Sequence, residues 1–287
     1  MKKKGFLLTI LGALVLMFGL ALAAPTEAEA ASSYQEIKLS ENSPSKPVKV
    51  GKYYYKYKKG RLYYSKKKSS GYHKTKVDTY GDLWTNGKTI YYTNYSGSRI
   101  ALYKYTISSK KVKKLKTLPA VKGDDYAYWI GKVRGGKVFI NLEDDYKGQY
   151  SVYSYKTKTK KFKREKKNCS IVANSGKYCV CLKEWHKKSF GGSPLNLYKV
   201  TSSGSFKKVK TITKTGNMTV EAINGKFYYL KTPNGGGTST LYRMSANGKT
   251  KKKLVSFTCS SAVYMRKVTK KYCDIVDYEG EDYRYYY

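Results

Sequence analysis

Residues 82–118, DLWTNGKTIYYTNYSGSRIALYKYTISSKKVKKLKTL, contain one complete structural unit of this chain. The pair Asn86-Gly87 favours the positive φ angles that a two-residue hairpin turn requires. Runs rich in aromatic and β-branched residues follow it, and such runs favour strands. The stretch therefore predicts four antiparallel strands, named a, b, c and d in chain order. Their predicted bounds are Asp82–Thr85, Thr89–Asn94, Ile100–Ile107 and Val112–Leu118.

Two short patterns repeat this unit along the chain. The first is a turn, a lysine and a β run, and the second is a tyrosine-containing strand that follows it. The first pattern occurs at 51–55, 87–92, 136–140, 176–180, 225–229 and 270–274. The second occurs at 61–64, 101–105, 151–155, 196–200, 240–244 and 282–286. Both recur six times in phase, at intervals of 36 to 50 residues. Four short strands at this period are typical of one propeller blade.

The two ends of the repeat array differ from the other units. The sixth unit ends before a strand d, while a lone strand-like segment, Tyr34–Leu39, precedes the first unit. We therefore predict an all-β protein, a six-bladed β-propeller of four-stranded antiparallel blades. The segment Tyr34–Leu39 is expected to pair with Tyr283–Tyr287, which would close the ring and cover two open sheet edges.

The N-terminus reads as a secretory signal peptide spanning residues 1–31. Lys2, Lys3 and Lys4 precede an apolar run from Phe6 to Ala24, and Ala-x-Ala cleavage patterns follow. Residues 32–287 are then a single propeller domain, secreted or associated with the cell wall, with no membrane span after cleavage. The apolar run is close to membrane-spanning length, so an uncleaved anchor is the alternative.

The second unit also resembles a known repeat. Ile90-Tyr91-Tyr92-Thr93-Asn94, with Leu102-Tyr103-Lys104 downstream, resembles the YWTD-type propeller repeat. The chain is similar, too, to secreted six-bladed propeller domains of unknown function from Gram-positive bacteria, over about residues 34–287. The aspartate that ends the YWTD motif is Asn94 here and is absent from the other units. The resemblance implies binding more often than catalysis, because its motifs are structural.

Charge is distributed unevenly over this predicted fold. The chain carries 58 Lys and Arg against 19 Asp and Glu, a formal net charge of +39. Lysines concentrate in strand d and in the turn before it, at the outer edge of each blade. Such lysines prevent edge-to-edge pairing, but four or five per blade exceed that need. We predict a polyanion-binding rim formed by Lys110, Lys111, Lys113, Lys114, Lys160, Lys161, Lys207, Lys208, Lys251 and Lys252.

Most acids fall in the b–c and d–a connections, which share one face of a propeller. The longest b–c loop, Lys183–Pro194, adds aromatic residues and a histidine to that face. Loops on a rigid scaffold commonly carry binding, although loop charges also serve solubility. The predicted ligand-binding residues on this face are Trp185, His186, Phe190, Asp144 and Asp145.

No sequence motif for catalysis stands out. The two histidines, His73 and His186, are isolated, and no hydrolase, metalloprotease or phosphate-loop pattern occurs. We predict no catalytic residue, cofactor or metal. The first functional hypothesis is a non-catalytic module that binds anionic polymers such as teichoic acid or acidic glycans, with non-specific nucleic-acid binding as a variant. The alternative is a propeller enzyme, a glycan lyase or hydrolase that uses loop carboxylates at the channel mouth.

The five cysteines do not indicate a disulfide scaffold, because their number is odd and small. Cys169 and Cys181 could face each other across a hairpin at Ser175-Gly176, so a disulfide between them stays open at this stage. The other interpretation is that the thiols are buried and act as small apolar side chains.

Overall fold

The structure, a computed structural model, covers the chain with several gaps. It describes residues 33–38, 46–58, 60–79, 81–121, 126–144, 149–183, 194–214, 219–232, 237–259, 263–277 and 280–287. Every regular secondary-structure element assigned in these ranges is a β-strand. Within them, therefore, no helix is long and apolar enough to cross a membrane.

The strands form six antiparallel sheets. The first sheet contains β2 (Val48–Val50), β3 (Tyr53–Lys58), β4 (Arg61–Ser65) and β5 (His73–Lys74). The second contains β6 (Leu83–Thr85), β7 (Thr89–Ser96), β8 (Arg99–Thr106) and β9 (Lys111–Thr117), with β1 (Gln35–Ile37) as a fifth strand beside β6. The third contains β10 (Tyr126–Arg134), β11 (Lys137–Asp144), β12 (Gln149–Lys156) and β13 (Phe162–Lys167).

The remaining three sheets continue the same order. The fourth contains β14 (Cys169–Ser175), β15 (Tyr178–Lys183), β16 (Leu195–Val200) and β17 (Phe206–Thr213). The fifth contains β18 (Val220–Ile223), β19 (Lys226–Lys231), β20 (Gly237–Ser245) and β21 (Lys251–Cys259). The sixth has three strands, β22 (Val263–Val268), β23 (Tyr272–Asp277) and β24 (Asp282–Tyr286). The predicted all-β class and the four-strand unit are confirmed, and the strands β6–β9 match their predicted bounds to within two residues.

Consecutive sheets pack face to face through five apolar clusters. The first cluster joins the first and second sheets and contains Tyr55 and Ile90, both of which are fully buried. The next joins the second and third sheets through side chains such as Trp84 and Ile130. Three further clusters join the third to the fourth, the fourth to the fifth and the fifth to the sixth sheet. The first strands β6, β10, β14, β18 and β22 contact one another in that order. This is the architecture of a β-propeller.

The predicted pairing of Tyr34–Leu39 with Tyr283–Tyr287 is wrong. The N-terminal strand β1 does not pair with the last strand. It pairs antiparallel with β6, with Glu36 opposite Trp84 and Ile37 opposite Leu83. The side chain of Ile37 is buried in the core between the first and second sheets. The physical reason is that the inner edge of β6 is an unpaired edge beside an apolar core. The segment therefore satisfies backbone groups and buries Ile37 there at the same time.

The turns between strands a and b and those between strands c and d lie at one end of each sheet, because neighbouring strands are antiparallel. They also touch between sheets. A Cβ at Gly87 would lie 3.0 Å from the carbonyl oxygen of Val50, and one at Gly135 would lie 2.2 Å from the amide nitrogen of Gly204. Both glycines have positive φ, so these close approaches need glycine. We call this end the turn face. Its described turns are 51–52, 86–88, 135–136, 176–177, 224–225, 269–271, 66–72, 107–110, 157–161, 201–205 and 246–250.

Candidate functional site

A cavity of about 860 Å³ opens at the turn face beside the N-terminal strand. Tyr34, Glu36 and Lys38 line one side of it. Lys132 and Asn174, from the first strands of the third and fourth sheets, line the opposite side. The cavity therefore lies among the innermost strands, which is where the channel of a propeller runs.

Lys132 is the most deeply buried cation of the cavity, with 2% of its surface exposed. A β-bulge in β10 between Ile130 and Lys132 shifts the register here. The Lys132 Nζ donates to Asn174 Oδ1 and to the Tyr178 carbonyl oxygen, both at 3.2 Å. It also lies 5.8 Å from the centre of the Trp84 ring. Burial lowers the pKa of Lys132, because desolvation disfavours the charged ammonium.

Glu36 faces the same cavity from β1. Burial, together with the nearby charge of Asp82, raises the pKa of Glu36 to about 7. The positive charges of Lys38 and Lys132 and a hydrogen bond with Asn174 act in the opposite direction. Desolvation outweighs these attractions, so this carboxyl group titrates near neutral pH.

Two further cations complete the lining. The Lys38 Nζ lies 3.2 Å from the Glu221 carboxylate of β18, so the N-terminal segment is linked to the fifth sheet. The Arg134 Nε donates to the Val200 carbonyl oxygen at 3.0 Å, which fixes this side chain at the wall formed by the third and fourth sheets. The site thus combines three cations with Glu36 and Glu221, and ionic or hydrogen-bonding ligands suit it better than apolar ones.

Sequence reasoning missed this cavity. The signal that could have found it is a charged or amide residue inside an otherwise apolar inner strand. Lys132 follows YAYWIG, Asn174 follows CSIVA, and Glu36 lies between Gln35 and Ile37. Among the side chains that the structure describes, no group of three or more His, Cys, Asp and Glu residues could hold a metal ion.

The loop-face prediction lies mostly outside the described residues. This applies to Trp185, His186, Phe190 and Asp145. Asp144 ends β11 at the opposite end from the turn face, and only 5% of its surface is exposed. The cavity and Asp144 therefore lie at opposite ends of the third sheet.

The ten lysines of the predicted rim are all described and exposed. Lys110 and Lys160 lie in c–d turns with positive φ, whereas the other eight lie in or next to an outer strand. The Lys251 Nζ lies 3.9 Å from the centre of the Tyr242 ring, and burial together with Lys231 and Lys210 lowers the pKa of Lys251. Glu165 is the one acid in the described d strands (β5, β9, β13, β17 and β21), and it binds Lys137 at 2.9 Å and Lys163 at 3.4 Å.

The described cysteines are free thiols. Cys169, Cys179, Cys181 and Cys273 are all buried. The first three lie in the core between the third and fourth sheets, and Cys181 hydrogen-bonds with Cys169 and Cys179. Burial raises the pKa of Cys181 well above its usual range. The interpretation of these thiols as apolar core side chains is confirmed.

No protein-family model matches the chain, and no curated protein sequence matches it. Solved structures do match. The acylaminoacyl peptidase of Pyrococcus horikoshii aligns over 85% of this chain and 43% of that chain, with 9% sequence identity and a TM-score of 0.54. TolB from Acinetobacter baumannii aligns over 89% of this chain and 63% of that chain, with 13% identity and a TM-score of 0.43.

The β-propeller domain of the Trilobed protease from Pyrococcus furiosus aligns over 82% of this chain and 75% of that chain, with 11% identity and a TM-score of 0.47. The present chain thus spans less than two thirds of the TolB structure and less than half of the peptidase. At 9% identity, the similarity to the peptidase shows a shared fold alone.

Proposed function

We propose that this protein is an exported, non-catalytic binding module for anionic polymers of the cell wall or the extracellular space, such as teichoic acids or acidic glycans. The observation that carries this proposal is the exposed lysine of the outer strands and their turns. In the described d strands, β5, β9, β13, β17 and β21, Glu165 is the single acid, on a chain with a net charge of +39. Edge protection needs far fewer charges than this.

A polyanion bound in this way is held by charge rather than by shape. Each lysine that neutralises a phosphate or carboxylate releases condensed counterions, so the affinity falls steeply as the salt concentration rises. Exposed lysines cost the fold little, because their charges remain in water. These two properties suit a surface that grips a heterogeneous polymer.

The test is cosedimentation of the protein with purified cell walls, with and without their teichoic acids, over a series of salt concentrations. We expect binding that needs the anionic polymer, with a log–log slope of several units. Replacing Lys110, Lys111, Lys113 and Lys114 by Gln should weaken binding, because these exposed cations lie in one turn and the strand after it. Binding that is insensitive to salt up to physiological ionic strength would contradict the proposal.

A matched control separates binding from folding. Tyr91 in β7 and Tyr103 in β8 belong to the same sheet as the four lysines, and Tyr91 is buried. Replacing both by Ala should lower the melting temperature first, because they pack in the core. The four-lysine variant should instead keep its melting temperature while binding weakens.

One observation favours the alternative function, a propeller enzyme that acts on glycans. Glu36 lies in the cavity with a pKa of about 7, which suits a general acid. Its neighbours Lys38 and Lys132 also explain it as part of a structural network, so we rank the enzyme second. Release of reducing ends or unsaturated products from acidic glycans, abolished by Glu36→Gln, would favour the enzyme over the binding module.

We further propose that the six sheets are the six blades of a closed ring. The five clusters between consecutive sheets support this, since only the contact between the sixth and the first sheet is then needed for closure. Hydrogen exchange tests it. Amide protection in β2 and β22 should match that in β10, whereas rapid exchange confined to β2 and β22 would contradict closure.

Export is also part of the proposal. The apolar run before residue 31, preceded by Lys2, Lys3 and Lys4, supports a signal peptide. Mass spectrometry of the exported protein should give an N-terminus close to Ser32. A chain that retains residues 1–31 and stays with the membrane fraction would favour the anchor instead.

A further inference from the structure

We propose that the anionic polymer binds end-on at the turn face, with its terminal unit in the central cavity and the following units on the lysines of the surrounding turns. This inference rests on the proposed function and specifies where the polymer binds. The outer strands would then contribute to the attraction from a distance rather than form the binding surface.

The first argument is the charge of the turn face. The described turns at this end contain no acidic residue, whereas the acids of the described chain lie in strands or at the opposite connections. Each a–b turn contains a lysine or is followed directly by one. All of these lysines except Lys137 are exposed. The exposed lysines in or directly after these turns are Lys52, Lys88, Lys177, Lys226, Lys270, Lys271, Lys66, Lys67, Lys68, Lys110, Lys158, Lys160, Lys161 and Lys249.

The second argument is that these turns lie close together. The a–b turns of the first and second sheets meet where Gly87 lies against Val50 and Gly51. The a–b turn of the third sheet lies against the c–d turn of the fourth at Gly135 and Gly204. The Lys210 Nζ of the fourth sheet donates to the carbonyl oxygen of Gly248, in the c–d turn of the fifth. These contacts join the turns of the first and second sheets, and those of the third, fourth and fifth sheets.

The third argument is that cationic side chains continue into the cavity. Lys38, Lys132 and Arg134 line it, together with the polar side chains Asn174 and Asn224. The charge of Lys38 is paired with Glu221, whereas the Arg134 guanidinium donates to the neutral Val200 carbonyl and keeps its charge. A volume of about 860 Å³ accommodates a sugar or polyol-phosphate unit, since ligand pockets of this class measure about 300–1,000 Å³. The carboxyl group of Glu36 also lies there, held beside Lys132 and Asn174.

The depth of the cavity favours the end of a linear polymer over a flat membrane surface as its ligand. A bilayer lying on the turn face would leave the cavity and its three cations unfilled, whereas the terminal unit of a linear polymer can enter. A polymer wrapped around the outer strands would not reach the cavity either. The end-on arrangement is the one that uses both the cationic turns and the cationic cavity.

Lys137 provides an internal contrast. It follows the turn at 135–136 like the other lysines, but its Nζ lies 2.9 Å from the Glu165 carboxylate, and both side chains are largely buried. Its charge is already neutralised, so it should not contribute to binding. It is therefore left out of the variants below.

The experiment uses inorganic polyphosphate as the probe, in chains of about 50 and about 500 units, and measures stoichiometry and affinity by titration calorimetry. A linear chain has two ends, so end-on binding predicts at most two proteins per chain at both lengths. Binding along the outer strands predicts a stoichiometry that rises with length. Vesicles with anionic lipid are titrated in parallel.

Two charge-matched variants test the surface. The turn variant replaces Lys52, Lys88, Lys177 and Lys226 by Gln, and the strand variant replaces Lys113, Lys116, Lys208 and Lys253 by Gln. Each removes four exposed charges. We expect the turn variant to weaken polyphosphate binding by about tenfold or more and the strand variant by less than about threefold at the same salt concentration. Arg134→Gln should weaken it several-fold through the cavity. Melting temperatures verify that each variant is folded.

The outcomes separate the inference from the proposed function. A stoichiometry that grows with chain length, or equal losses in the turn and strand variants, would overturn end-on binding and leave polymer binding standing. Turn-dependent binding to vesicles with an affinity equal to that for polyphosphate would also overturn it, in favour of a membrane surface. Absence of binding to polyphosphate and to teichoic-acid-bearing walls would overturn both.

Discussion

Lys132 and Lys113 are the same residue type in two opposite environments. Lys132 lies in an innermost strand, 2% exposed, and its Nζ has two fixed acceptors. Lys113 lies in the outer strand β9, where its side chain is exposed. A buried charge must be paired and hydrogen-bonded or it destabilises the fold, whereas an exposed charge stays solvated. The inner lysine is thus fixed by the fold, whereas the outer ones remain solvated.

The largest difference in stability is expected between the variants in which Lys132 or Lys113 is replaced by Met. Lys132→Met removes the donor to Asn174 and Tyr178 and one of the two cations beside Glu36. We expect a loss of about 2–4 kcal/mol in the free energy of unfolding, measured by urea denaturation. Lys113→Met should change it by less than about 0.5 kcal/mol. Equal effects of the two substitutions would contradict the contrast.

The next largest loss of stability is expected in β1, the strand that lines one side of the cavity. Ile37→Ala removes a side chain that is 4% exposed and packed against the first and second sheets. We expect about 2–3 kcal/mol of destabilisation in the same assay. Val48, which is 39% exposed, is the control, and Val48→Ala should cost much less. An unchanged stability for Ile37→Ala would mean that β1 is not docked on β6.

A smaller effect concerns pH. The pKa of Glu36 is raised from 4.5 to about 7, so the folded state holds this proton more tightly than the unfolded state does. The resulting stability is fully present below pH 4.5 and is lost as the pH rises through about 7. Glu36→Gln cannot ionise. The free energy of unfolding of Glu36→Gln, measured relative to that of the natural protein, should therefore be about 1–2 kcal/mol higher at pH 8 than at pH 4. This figure allows for solvent in the cavity, which weakens the effect of burial.

The control for this prediction is Glu281→Gln, which removes an exposed carboxylate. Three other charged groups lie near Glu36, namely Asp82, Lys38 and Lys132. The stability of the Glu36 variant is therefore compared with that of the natural protein at each pH. A difference between the Glu36 variant and the natural protein that stays constant from pH 4 to pH 8 would contradict the raised pKa.

The smallest effect on stability belongs to the outer strands. Replacing Lys113, Lys116, Lys208 and Lys253 by Gln should leave the melting temperature within a few degrees, because each exposed change costs about 0.5 kcal/mol or less. The removal of four like charges also relieves repulsion on a chain at +39. A large fall in the melting temperature would show that these lysines pack rather than remain solvated.

Much of the fold follows from local sequence. The turn at Asn86-Gly87 and the runs around it predicted β6 to β9 to within two residues, and the six-fold recurrence predicted six sheets. Hairpin turns and alternating strands depend on residues close in the chain, so their signals survive in a single sequence. The position of lysine on the outer strands followed from the same unit.

The location of the candidate site did not follow in this way. Sequence patterns directed attention to the long loop around Trp185, which lies outside the described residues, and to Asp144, which lies at the end of β11 opposite the cavity. Its members come from distant parts of the chain. Lys38 and Glu221 are 183 residues apart, and Lys132 and Asn174 are 42 residues apart. No local pattern links such pairs.

The sequence by itself determined the repeated four-strand unit and the strongly basic outer strands, because each depends on local periodicity, composition or side-chain polarity. The tertiary structure alone decided that β1 pairs with β6 rather than with the last strand, and that Glu36, Lys132 and Asn174 meet in one cavity. The physical reason is that a strand-like segment carries hydrogen-bonding groups that fit any open edge. The edge is chosen by the apolar core that receives Ile37 and by the charges that surround Glu36 and Lys38, and that environment exists only once the sheets have packed.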